Sequence, residues 1–298
     1  MKPLAFRLQK VRKVFEHFTL QDVDLELPRG SIMGFVGPNG AGKSTTMHIL
    51  LGLLRADSGQ VELVGHDIPR EQVAAKRQIG FVSEDMRLYG SATVGWHIRF
   101  VRSLYPSWDD AYAAELVRRF ELLPEQKVKQ LSRGQRVKAA LLLALARRPA
   151  LLVLDEPTTG LDPVVRQEVL KEMLAALDLQ GSSIFFSSHN IQDVEQISDL
   201  ITFIHRGEIL ESDDKESFLD RWRRLSVELE PGTELDLPEA CSWTERSGRH
   251  GVLLAERFSD GVVPALTSQG AVVHEVQRMT LEEIFLTRVS GSSERRPS

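Results

Sequence analysis

The run Gly37-Pro38-Asn39-Gly40-Ala41-Gly42-Lys43-Ser44-Thr45 sets three glycines and an alanine ahead of a Lys-Ser pair. Small residues let a backbone curl until several N–H groups point inward. An apolar run before it and a helical pattern after it give the G-x-x-x-x-G-K-[ST] spacing its strand–loop–helix context. The product is an anion nest at a helix N-terminus. There Lys43 can reach the outer phosphates of a nucleoside triphosphate, and the Ser44 hydroxyl can ligate Mg2+. A second run, Leu151-Leu152-Val153-Leu154-Asp155-Glu156, is apolar and ends in two acids. At the carboxyl end of a strand the first acid can face a metal beside the phosphate loop. The second can face an attacking water as a general base.

Residues that must be held this way need a rigid frame, and the remaining pattern supplies one. Compact apolar runs at 31–37, 79–83, 151–155, 183–187 and 200–205 read as strands buried on both faces, separated by helical patterns. That alternation predicts an α/β fold with a largely parallel sheet. Residues 4–15 and 22–27 alternate apolar and polar and read as antiparallel strands. Between the second and third core strands, about 85–148 forms a helical insertion. Within it Leu131-Ser132-Arg133-Gly134-Gln135 precedes a helical pattern, with Ser132 suited to the N-cap.

After residue 208 the character changes. Strands are expected at 225–230, 252–255 and 271–276, and Thr280-Leu281-Glu282-Glu283 fits a capping box. The expected organisation is a main domain over 1–212, an α+β appendage over 215–290 and a disordered polar tail over 291–298. His250 and His274 are isolated and are read as non-catalytic.

The chain has 298 residues, 42% hydrophobic and 27% charged, enough for a sizeable core. A formal charge of −5 gives no general basic field, so no nucleic-acid partner is expected. The single cysteine, Cys241, excludes an intrachain disulfide framework and a multi-cysteine zinc site, and fits a reducing compartment. The most apolar stretch, 139–154, is cut by Arg147-Arg148-Pro149, short of the roughly 20 residues that a membrane span needs. Charge enters the N-terminus too early for a signal-peptide core. Membrane attachment is therefore expected to need a partner.

The order of these motifs resembles the nucleotide-binding subunit of an ABC transporter over about residues 4–210. Walker A corresponds to 37–45, the signature to 131–135 and Walker B to 151–155, and Glu156 matches the family's catalytic base. Gly160-Leu161-Asp162 resembles the D-loop, and Ser187-Ser188-His189 the switch histidine. The resemblance implies a P-loop cassette with antiparallel and helical subdomains, using ATP and Mg2+. It implies catalytic roles for Glu156, His189 and Lys43, and nucleotide contacts from Phe15, Gly37, Pro38, Asn39, Gly40, Ala41, Gly42, Lys43, Ser44 and Thr45. Across a head-to-tail dimer it implies further contacts from Ser132, Gly134, Gln135 and Asp162. Metal contacts fall to Ser44, Asp155 and Glu84. Phe15 takes the adenine-stacking position or is an ordinary strand-end hydrophobe.

Two positions depart from the family pattern. Arg133 replaces the usual signature Gly, which is expected to alter only interface electrostatics. Glu84 replaces the Q-loop Gln, either keeping a metal role through its oxygens or slowing hydrolysis. The aromatics Tyr89, Trp96, Phe100, Tyr105 and Trp108 lie where the family receives a coupling helix from its membrane partner, or else fill the subdomain's own core. Tyr105-Pro106-Ser107-Trp108-Asp109 and Leu281-Glu282-Glu283-Ile284-Phe285-Leu286 look like ABC-2-type exporter ATPases of the bacitracin-resistance and acetoin-utilisation kind. The implied partners are a second ATPase subunit, identical or related, and integral membrane permease subunits, at the cytoplasmic side of the cell membrane. The alternative is a non-transport ABC ATPase acting on ribosomes or DNA.

Overall fold

The computed structural model describes residues 3–230 and 232–294, with the side chains of 177–180 and 291–294 outside that description. The chain divides into two units, 1–212 and 213–298. In chain order the first holds strands β1 (Leu4–Val14), β2 (Thr19–Pro28) and β3 (Ile32–Val36), then helix α1 (Lys43–Leu50). β4 (Ser58–Leu63), β5 (His66–Ile68), α2 (Gln72–Arg77) and β6 (Ile79–Ser83) follow. The insertion contributes α3 (Val94–Leu104), α4 (Asp110–Arg119) and α5 (Arg133–Leu145). Next come β7 (Leu151–Asp155), α6 (Pro163–Gln180), β8 (Ser183–Ser188), α7 (Ile191–Ile197), β9 (Leu200–His205) and β10 (Glu208–Asp214), which reaches the boundary.

Two sheets build this unit. One is antiparallel in the order β2-β1-β4-β5, and the other has the order β10-β9-β3-β8-β7-β6. In the second, β9, β3, β8, β7 and β6 pair in parallel. Every residue of β3, β7 and β8 is buried. This is why their sequences are continuous apolar runs rather than alternating ones. Leu151, Leu152, Val153 and Leu154 are each fully enclosed. At about 1.5–3 kcal/mol per buried large side chain, they fix β7 firmly and with it the acids at its end.

The parallel register matters most for function. Ser83 pairs with Asp155, Asp155 with Ser187, and Val36 with Ser188. The residues just beyond β6, β7, β8 and β3 are thus brought to one edge: Glu84, Glu156, His189 and Gly37.

The second unit contains α8 (Lys215–Arg221), β11 (Arg223–Glu228), β12 (Cys241–Ser247) and β13 (His250–Ala255), then α9 (Val262–Thr267), β14 (Val272–Arg278) and α10 (Leu281–Glu294). Its sheet runs β12-β13-β11-β14, antiparallel throughout. Leu225, Val227, Leu253, Ala255 and Leu266 form its core. The α10 capping box is present: Glu283 N–H donates to Thr280 Oγ1 at 3.3 Å, and Thr280 N–H donates to Glu283 Oε2 at 2.8 Å. β12 was not anticipated, because no residue of it is fully buried and it lacks apolar alternation. α10 continues to Glu294, into the segment expected to be disordered, since the cap and apolar Leu281 and Ile284 start a helix that the polar residues do not stop. Residues 295–298 of that expected tail lie outside the described residues.

Candidate active site

The phosphate loop leaves β3 at Gly37, where an added Cβ would stand 2.4 Å from the Ile204 carbonyl oxygen. Only glycine lets β9 approach this closely. Pro38, Asn39 and Gly40 form the exposed apex, while Ala41 is buried and its N–H donates to Pro38 O at 3.1 Å. Gly42 sits at the N-cap of α1 with φ 111°, a left-handed conformation that disfavours any side chain. The loop is therefore bent into the helix start, and α1 directs its unpaired N–H groups at the bend. Ser44 is exposed and Thr45 half-buried in the first turn.

Lys43 is only 6% exposed. Its Nζ donates to Gly37 O at 2.7 Å and Pro38 O at 3.3 Å, and lies 3.1 Å from Glu156 Oε1. The ammonium is thus shared between the loop and the Glu156 carboxylate.

Asp155 ends β7, buried, and its Oδ1 accepts from Ser187 Oγ at 2.6 Å. The same hydroxyl oxygen accepts from Glu156 N–H at 2.9 Å. Ser187 therefore fixes both acids from the neighbouring strand. The chain then turns sharply, with Glu156 at φ 52°. A left-handed non-glycine residue costs on the order of 1–3 kcal/mol and persists only where its surroundings impose it. Here they do: Thr159 Oγ1 donates to Glu156 Oε2 at 2.8 Å, and His189 Nδ1 lies 2.7 Å from the same oxygen. Burial pushes the Glu156 carboxyl up. The Thr159 hydroxyl, the Lys43 charge and the His189 contact outweigh it and hold the group below its ordinary value. The carboxylate can only accept, so the proton of that contact belongs to His189 Nδ1. Nε2 is left as a second contact point, an acceptor on the neutral ring and a donor on the protonated one.

The signature segment caps α5 as expected. Gln135 N–H donates to Ser132 Oγ at 3.2 Å, and Ser132 N–H donates back to Gln135 Oε1 at 3.0 Å. Gly134 is buried, and an added Cβ would meet Val165 at 2.9 Å. Asp162 Oδ1 accepts from Val164 and Val165 N–H at 3.0 and 3.1 Å, so its carboxylate caps α6. Phe15 is 42% exposed at the β1–β2 turn, its ring 6.1 Å from that of Phe18, whose tip abuts the Gly42 position.

The comparisons with known proteins agree with one another. A family model described as ABC transporter matches residues 20–159. The Nod factor export ATP-binding protein I of Cupriavidus metallidurans is 31% identical, over 94% of this chain and 95% of its own. The daunorubicin resistance ATP-binding protein DrrA3 of Streptomyces coeruleorubidus is 32% identical over 90% of each. The chain belongs to the ABC transporter ATP-binding proteins. Its fold agrees: a solved ATP-binding subunit of an ABC transporter superposes with TM-score 0.66 at 24% identity, over 72% of this chain and 91% of that one. The dimeric cassette MJ0796 bound to ADP and Pi gives 0.63 at 24%, over 70% and 98%.

As a member of that family this cassette is an ATPase that binds ATP with Mg2+. Among the described residues no cluster of three His, Cys, Asp or Glu could hold a metal by itself. Mg2+ takes one or two protein oxygens and completes its shell with phosphates and water. Buried Asp155 and exposed Ser44 fit that need. Glu84, the third expected metal contact, adjoins Asp155 through its backbone N–H, which donates to Asp155 O at 3.1 Å, while its carboxylate accepts from Arg133 Nη2 at 2.6 Å. Sequence reasoning missed this pairing, and it missed the positioning roles of Thr159 and Ser187.

Proposed function

We propose that this ATPase powers an ABC-2-type export system, working as a dimer against separate membrane permease subunits at the cytoplasmic side of the cell membrane. The observation that carries the reading is Glu156. It is a half-buried carboxylate gripped by Thr159, Lys43 and His189 at the same sheet edge as the phosphate loop. When nucleotide phosphates draw Lys43 away, Glu156 loses its cation and becomes a stronger base for water. His189, already oriented through Nδ1, supports the attack from Nε2. Bound Mg2+ would supply charge neutralisation at the phosphates, held from this chain by Ser44 and Asp155.

The N-terminus of α5, with the Ser132 hydroxyl and Gly134 N–H, completes a partner's nucleotide site. A helix N-terminus aimed across an interface is suited to an anion. Residues 1–212 act as the cassette, with 85–148 as its helical subdomain and 215–290 as an accessory domain. Export is favoured by relatives named for daunorubicin resistance and Nod factor export. No helix among the described residues is long and apolar enough to cross a membrane. Trp96, Phe100 and Leu104 follow one another at four-residue spacing on α3 and are 38%, 44% and 56% exposed. Trp96 and Phe100 stack with centroids 5.1 Å apart. This stripe suits a permease coupling helix.

The dimer is directly testable. Glu156→Gln protein with Mg-ATP is expected to sediment as a dimer, and as a monomer without nucleotide. Adding Ser132→Arg, which crowds the phosphate-facing helix start, should return it to monomer. A Glu156→Gln protein that stays monomeric at saturating Mg-ATP speaks against the sandwich.

A further inference from the structure

Glu84 and Arg133, the two departures from the family pattern, meet each other. Arg133 opens α5, 49 positions along the chain from Glu84, and its Nη2 lies 2.6 Å from Glu84 Oε1. The guanidinium also lies against Gly160. A Cβ there would come within 2.6 Å of Arg133 Cζ and 2.7 Å of Nη1, so a residue without a side chain is what leaves the room. Glu84 is tied in place from the other direction, because its N–H donates to the Asp155 carbonyl at 3.1 Å. Both pair members line one cleft of about 570 Å³ that also includes Glu156 and Thr159.

The arrangement is poorly explained by stability. Both side chains are 48% exposed, and ion pairs of that exposure contribute little. It is better explained by charge. Asp155, Glu156 and Glu84 stand at neighbouring strand ends, and the structure pairs Lys43 with Glu156. A third free carboxylate there would repel a polyphosphate before any metal arrived. Arginine keeps its charge at every working pH, and its planar fork suits a carboxylate.

We infer that Arg133 is a positioning residue that acts through Glu84, cancelling its charge and holding it away from the metal site so that the Q-loop acid does not oppose ATP. The inference rests on the ATPase reading and concerns how a cassette with an acid at this position still accepts nucleotide.

The test is a double-mutant cycle read by equilibrium binding of a fluorescent ATP analogue to dilute, full-length protein, with EDTA and then with Mg2+. Arg133→Ala is expected to weaken metal-free binding by about five- to twentyfold, the scale of one uncompensated charge near the phosphates. Mg2+ should recover part of that loss, since the freed carboxylate then offers the cation an oxygen. In the Glu84→Gln background the same Arg133→Ala change should cost less than twofold. Arg133→Lys, which keeps the charge within reach of Glu84, should stay within about threefold of wild type. Thermal unfolding of each variant checks that the exposed substitutions leave the fold intact.

An Arg133→Ala penalty equally large in the Glu84→Gln background would overturn the inference, because Arg133 would then act on nucleotide directly. A penalty below twofold in the wild-type background would overturn it too. Wild-type protein that binds no analogue, or Lys43→Ala protein that binds it undiminished, would instead remove the ATPase reading and the pair's role with it.

Discussion

Glu156→Gln protein should bind ATP with near-wild-type affinity while hydrolysing it about 10²–10⁴-fold more slowly, the range a general base contributes. The amide preserves shape but cannot take the proton from water. The partners of Glu156 make the expectation specific. The Thr159 hydroxyl and His189 Nδ1 both meet Oε2, and Lys43 faces Oε1. Each favours the carboxylate, and together they hold it below its ordinary 4.5 against the upward push of burial. The base is therefore ionised above that value, and its activity falls only as acid protonates it below. In the free-enzyme kcat/KM profile, an acid limb owed to Glu156 belongs below pH 4.5 and should vanish in the variant. Rapid-quench turnover beside equilibrium nucleotide binding separates the two effects. Turnover within tenfold of wild type would remove Glu156 from the role.

Lys43→Ala attacks the other side of the site and should fail at binding. In the structure the ammonium is buried and donates to Gly37 and Pro38 carbonyls. Those carbonyls hold it at the mouth of the loop, from which phosphates can claim it. A charge-assisted hydrogen bond contributes about 1.5–3 kcal/mol. Losing one or two to the phosphates should weaken ATP binding about a hundredfold or more, at tenfold per 1.4 kcal/mol. The same change strips Glu156 of a neighbouring cation, so its carboxyl should titrate higher than in wild type. Calorimetric ATP binding checks the first effect, and the pH dependence of the Glu156 carboxyl by NMR the second. ATP affinity within threefold of wild type would contradict the role given to the loop.

The contrast between these two residues reflects what a sequence makes legible. The parallel strands were readable because burial on both faces demands unbroken apolar runs, and the phosphate loop because its glycines answer steric demands. β12 was hidden, since it rests on Trp243 lying against Gly251 rather than on a pattern of its own. Thr159 and Ser187 were hidden for a different reason. The Thr159 contact depends on the left-handed turn at Glu156, which nothing in the residue type signals, and the Ser187 contact depends on the register that sets Ser187 beside Asp155. The Glu84–Arg133 pair was least visible, because each residue read singly is a departure from a family pattern. Only the register that sets β6 beside β7 and brings the start of α5 to that edge makes them one feature. The Ser132 cap was readable from its place before a helical pattern, whereas the capping bonds of Asp162 at the start of α6 were not.

The export role is tested most directly by affinity capture of tagged Glu156→Gln protein from detergent-solubilised native membranes with Mg-ATP, with stoichiometric partners identified by mass spectrometry. A polytopic membrane protein captured in stoichiometric amount is the expected result. Ribosomal or DNA-associated partners, with no membrane protein among them, would contradict it.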